Sequence, residues 1–148
     1  MKGSETIVLS IASLVEQLGR QVQNICFTKD LAPVQWSALR FLSKSAPAAR
    51  NVSGLAAYSG VNASSASRTI QQLLQKDLIT ITTDPWDNRV KTATLTQAGR
   101  DLLMRDPLAN LADVVTRLGS QEQVALRDLL EKLLFGLCPK PFDTKDNP

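Results

Sequence analysis

Histidine is absent from the 148 residues, and cysteine occurs only as Cys26 and Cys138. Without an imidazole, Ser–His–Asp and Cys–His catalysis are excluded, together with histidine metal ligation. Two cysteines cannot build a Cys-rich zinc site. No apolar run approaches the roughly 18 residues that would span a bilayer. The polar opening Met1-Lys2-Gly3-Ser4-Glu5 shows neither the apolar stretch nor the cleavage site of a signal peptide, so a cytoplasmic location is expected. Any enzyme would depend on carboxylate or lysine chemistry. Asp128 and Glu131 share one helix face but alternate with Arg127 and Lys132, a salt-bridged surface pattern. No catalytic residue, cofactor, metal or membrane partner is therefore expected.

What is present is a hydrophobic fraction of 43%, enough for a core. The length fits one domain or one compact unit with an attached dimerisation element. The net charge of +3 is unevenly spread: residues 34–100 hold eight basic and three acidic side chains, whereas the remainder is slightly acidic. A basic middle suits an anionic partner.

Residues 5–26 read as a helix, since Ile7, Ile11, Leu14, Leu18, Val22 and Ile25 recur at three- and four-residue steps. Phe27–Ala32 is a short connection, and Pro33 suits the first position of a second helix to about residue 44. Ser45–Asn51 reads as a loop. Ser53 is the expected N-cap of a short helix over Gly54–Tyr58. Ser59-Gly60 makes a turn against which Val61 is expected to pack, and Asn62 caps a helix over about 63–76 with Ala66, Ile70, Leu73 and Leu74 inward.

A short helix, a tight glycine turn and a longer helix form the helix-turn-helix pattern. The polar face of the second helix carries Ser64, Ser65, Ser67, Arg68, Gln71 and Gln72, with no acid before Asp77. Hydroxyls, amides and a guanidinium are groups that bond base edges and phosphates. Leu78–Thr83 alternates and is β-branched, Asp84-Pro85-Trp86-Asp87-Asn88-Arg89 is turn chemistry, and Val90–Leu95 is a second strand. Thr96 caps a helix directed toward residue 117, and Pro107 predicts a break near Asp106. Ser120-Gln121-Glu122-Gln123 resembles a capping box ahead of a last helix bearing Leu126, Leu129, Leu130, Leu133, Leu134 and Leu137.

The fold expected is mainly α with a small β-hairpin wing: a winged helix-turn-helix core flanked by N- and C-terminal dimerisation helices. The segments are 1–32 (dimerisation helix and connection), 33–96 (DNA-binding core), 97–138 (dimerisation helices) and 139–148 (a loose tail). Leucine-rich stripes at both chain ends exceed what so small a core covers, and a twofold dimer would set two recognition helices about 34–36 Å apart, one turn of B-DNA.

These features together resemble the MarR family of bacterial transcription regulators. The likeness is carried by Gln35-Trp36-Ser37-Ala38-Leu39, by residues 67–79 from Ser67-Arg68-Thr69 to Asp77-Leu78-Ile79, by the Asp87-Asn88-Arg89 wing, and by Leu95-Thr96-Gln97-Ala98-Gly99. The resemblance implies a homodimer that binds double-stranded DNA at a pseudo-palindromic site, most often as a repressor. It places Arg89 in the minor groove with Asp87 bracing it. It assigns Ser64, Ser65, Ser67 and Arg68, with Asn62, Gln71 and Lys91 nearby, to the DNA surface. Ser53 would offer its helix N-terminus to a phosphate. Asn88 stands where many relatives have arginine, Asp77 replaces a usual glycine, and Gln71 and Gln72 occupy positions that are often charged.

Many relatives bind small aromatic or anionic ligands, for which Phe27, Trp36 and Phe41 are the candidate lining residues and Arg20, Arg40 or Arg100 the candidate carboxylate partners. A second branch senses peroxides through cysteine, which points to Cys26 and Cys138; Lys29 is the nearest cation in sequence, and Tyr58 is the single tyrosine. Release of DNA by a small ligand is the expected trigger. Cysteine oxidation, or a winged-helix interaction module without DNA binding, are the alternatives.

Overall fold

The computed structural model describes residues 2–137, so Cys138 and the expected tail lie outside the described residues. The described residues are mainly helical, with one two-stranded antiparallel hairpin among them. Helices α1 (Lys2–Ile25), α2 (Pro33–Lys44), α3 (Val52–Ser59) and α4 (Ala63–Gln75) precede strands β1 (Ile79–Thr83) and β2 (Lys91–Leu95). Helices α5 (Gln97–Leu103), α6 (Ala109–Val115) and α7 (Ser120–Leu137) follow. The described residues fall into two compact units, one up to Leu111 and one from Ala112 onward.

The core of the first unit is built from α2, α4 and the hairpin. Trp36, Leu39 and Leu42 of α2 meet Leu55 of α3, Leu73 of α4, and Ile79 and Ala93 of the strands. In the hairpin Ile79 pairs with Leu95 and Ile81 with Ala93, so alternate residues face the core. Helix α1 meets the core at its end, through Val22 and Ile25, and Cys26 just beyond it is buried there. Its earlier stripe is bare: Ile7 is 62% exposed and Leu14 60%.

Local chemistry sets the boundaries. Pro33 opens α2, where its missing N–H costs nothing. The cap of α3 is Asn51, whose side-chain oxygen accepts from the Gly54 N–H at 2.9 Å. Ser53 therefore lies inside the first turn rather than at the cap. Val61 is exposed and does not pack behind the Gly60 turn as expected. Helix α4 is capped by Asn62, which accepts from the Ser65 N–H. It closes in a Schellman arrangement: the Leu78 N–H reaches Leu73 O, the Asp77 N–H reaches Leu74 O, and Asp77 sits at φ 56°.

Gly99 shows why the turn into α5 takes that residue. A Cβ there would lie 2.2 Å from the Leu78 carbonyl oxygen, so backbone meets backbone with no room for a methyl group. Thr96 caps α5 through the Gly99 N–H, and its hydroxyl donates to Asp77 O at 2.7 Å. The expected break occurs: α5 ends at Leu103, ahead of Pro107. In the second unit, Glu122 reaches back to the Gly119 N–H at 2.8 Å, so the cap of α7 falls at Gly119, one residue before the predicted Ser120. Leu129, Leu133, Leu134 and Leu137 of α7 are all exposed.

Candidate nucleic-acid interface

Helix α4 turns its apolar side to the core, and this leaves Ser64, Ser65, Arg68 and Gln71 facing solvent. Ser67 is half-buried and lines an open cleft of about 760 Å³ between α3, α4 and the hairpin. Arg50, Ser53, Gln71, Arg89 and Lys91 line the same cleft. Three cations meet there, and no acidic side chain belongs to the lining. Such a concave surface focuses positive potential onto whatever enters it.

The wing is shaped by two carboxylates. Asp84 accepts the N–H groups of Trp86 and Asp87, at 2.7 and 3.1 Å, which fixes the turn. Asp87 accepts the Arg89 N–H at 3.0 Å and lies 3.4 Å from its Nε. The loop is closed by the Asp84 N–H on Val90 O. Arg89 is thus held at its base while its side chain stays almost wholly in water. An ion pair this exposed adds little to stability, so the pairing orients the guanidinium rather than supporting the fold.

Two residues depart from the surface drawn from sequence. Gln72 turns inward from the recognition-helix face, and its Oε1 accepts from Gln35 Nε2 at 3.0 Å. Arg50, absent from the sequence-derived set, lines the cleft; its Nε donates to Ser45 O at 2.8 Å, and its carbonyl accepts the Ala93 N–H at 2.7 Å. The signal available for Arg50 was its place just before an Asn able to cap a helix.

The candidate ligand residues are not brought together on that cleft. Trp36 is 1% exposed, and its indole N–H donates to Thr28 Oγ1 at 3.1 Å. Phe41 stacks on Tyr58 with ring centroids 4.8 Å apart. Phe27 is exposed. The three candidate arginines each have internal partners: Arg20 pairs with Glu16, Arg100 donates to Leu95 O and Gln97, and Arg40 lies 3.2 Å from Asp106 as an ion pair rather than an aligned hydrogen bond. The cation at Cys26 is Arg40, whose Nη2 is 3.7 Å from the sulfur, where sequence proximity had suggested Lys29. Cys26 itself is buried. On α7, Asp128 bonds Arg127 and holds its guanidinium charge more firmly, as expected of a solvated, salt-bridged face.

Among the described residues no group of acidic or cysteine side chains could hold a metal, and no helix is long and apolar enough to cross a membrane. No curated protein matches the chain in sequence. Solved structures do match. A probable transcriptional regulator from Pseudomonas aeruginosa is 27% identical, over 83% of this chain and 96% of that one, with a TM-score of 0.64. CouR from Rhodococcus jostii RHA1, solved bound to p-coumaroyl-CoA, is 25% identical over 84% and 92%, with a TM-score of 0.69. A MarR-family transcriptional regulator from Rhodococcus sp. RHA1 is 23% identical over 85% and 94%, also with a TM-score of 0.69. The sequence model of the MarR family matches residues 29–89, the stretch from the α1–α2 connection to the wing arginine. The chain thus resembles MarR-family transcriptional regulators, in sequence over residues 29–89 and in fold over most of its length.

Proposed function

We propose that the chain is a sequence-specific DNA-binding regulator of transcription, acting in the cytoplasm as a homodimer on a pseudo-palindromic site. The observation that carries this reading is the acid-free cleft in which the polar side of α4 meets Arg50, Arg89 and Lys91. Ser64, Ser65, Arg68 and Gln71 reach base edges and phosphates in the major groove, while Arg89 enters the minor groove beside it. The bare stripes of α1 and α7 support the dimer, because apolar surface of that extent is normally covered by a partner. Selection from random duplex DNA, followed by titration at several salt concentrations, tests the reading. A palindromic motif and a steep log–log salt slope are expected, and an interaction module without DNA binding would give neither.

The regulator acts as a repressor released by a small ligand. Support comes from CouR, which is solved with an acyl-CoA bound. A ligand releases DNA if it favours a dimer geometry whose two recognition helices no longer match one DNA turn, and its unequal affinity for the two geometries limits the effect. The Arg40 contact favours a second reading, oxidation at Cys26, since reactive cysteines sit beside cations. Burial of the sulfur weighs against peroxide access. Peroxide treatment of the wild type beside a Cys26→Ser, Cys138→Ser variant separates the two: loss of DNA binding in the wild type alone establishes oxidation as the trigger.

A further inference from the structure

Trp86 is 94% exposed at the tip of the wing, the most exposed of the large apolar side chains described. The turn does not need it. Asp84 makes the hydrogen bonds that shape the loop, and Pro85 restricts the backbone just before the indole. Only backbone atoms of Trp86 take part in those bonds. A fully solvated indole leaves on the order of 150–250 Å² of largely apolar surface in water, which favours burial against a partner. Two cations stand close by, Arg89 three residues away on the same loop and Lys91 on β2, while the nearer carboxylates Asp84 and Asp87 are already engaged by backbone N–H groups and, for Asp87, by Arg89. A polyanion with apolar edges fits this pairing, and the sugar faces of a DNA groove are such edges.

We propose that Trp86 is a DNA contact whose indole packs against the deoxyribose wall of the minor groove that Arg89 enters. The proposal rests on the DNA-binding reading above and adds a component of different physical character. Arginine and lysine contacts release counterions and weaken with salt. Burial of an indole releases no counterion, so its contribution persists as salt rises.

The two tryptophans make the test direct, because Trp36 is enclosed in the core and reports little of what happens at the surface. The full chain is titrated with its selected duplex, with fluorescence anisotropy of labelled DNA followed in parallel with tryptophan emission. In the wild type, DNA is expected to quench or blue-shift the emission, and Trp86→Phe is expected to abolish that change while retaining most of the affinity. Trp86→Ala is expected to weaken binding about tenfold at every salt concentration, as loss of a few tens of Å² of buried apolar area predicts, with the salt slope unchanged. Unaltered urea midpoints for both variants establish that the fold is intact. If DNA binds with no change in emission, or if Trp86→Ala binds within twofold of the wild type, the proposal is overturned and the DNA-binding reading stands. If no duplex changes the anisotropy, both fall together.

Discussion

Gln35 of α2 donates from Nε2 to the side-chain oxygen of Gln72 on α4, at 3.0 Å, while its own oxygen accepts the Ala32 N–H at the head of α2. One buried amide thus serves as the cap of its own helix and as a fixed point for the recognition helix. Lys76 adds a second tie, from Nζ to Asp30 O at 3.0 Å. The orientation of α4 is therefore specified from the head of α2, 37 residues away in sequence, and from the α1–α2 connection before it.

That bond predicts an asymmetry between variants. Gln72→Leu leaves the Gln35 amide without its partner in a buried site and is expected to cost about 1–3 kcal/mol. Gln35→Leu combined with Gln72→Leu removes both ends, so its cost should fall below the sum of the two single changes. Urea denaturation of the three variants measures the coupling; strict additivity would mean that the bond does not link the helices energetically.

Asp77 adopts a left-handed conformation at the end of α4, and its carboxylate stands at the negative end of the helix dipole. Both features disfavour an aspartate. Asp77→Gly is expected to raise stability by about 0.5–1 kcal/mol, since the Thr96 bond to the backbone carbonyl survives the change. A thermal or urea transition checks the sign, and a lowered midpoint would contradict it.

Arg89→Ala is expected to weaken specific DNA binding by about 1–3 kcal/mol and to shorten the salt slope by about one, leaving the fold intact. Salt-dependent anisotropy titration reads both effects. The contrast with Trp86→Ala, which should leave the slope unchanged, separates a charged contact from an apolar one.

Leu14→Glu places a carboxylate in the bare stripe of α1. In a monomer this residue faces water and the change is harmless to the fold. In a dimer it is buried without a partner, so dissociation should rise at least tenfold. Sedimentation at micromolar concentrations decides, and a wild type that is already monomeric there would contradict the proposed assembly.

The reading head was legible because its signals are local. The β-branched alternation of residues 78–83, the Asp-Pro-Trp-Asp-Asn turn and the amide cap at Asn62 each act within a few residues, and the structure has those elements within a residue or two of the expected bounds. The misplaced cap of α3 has an equally local cause: Asn51 and Ser53 are both good caps, and the β-branched Val52 between them hides the first helical position. Polarity alone places Gln72 outward, and only the opposing Gln35 gives it reason to turn in. The Arg40 pairing was invisible for a different reason. Asp106 lies 66 positions further along the chain, beyond the helical break, and nothing periodic connects the two.

The Ala93 N–H bonded to Arg50 O joins the hairpin to the segment just ahead of α3. Wing, first helix and recognition helix are in this way fastened into one rigid stamp. In the proposed dimer, a signal at the terminal helices would tilt or separate two such stamps without recutting their faces. Induction of the proposed regulator would then be a change of grip, with the operator either held or dropped, and not an exchange of one target sequence for another.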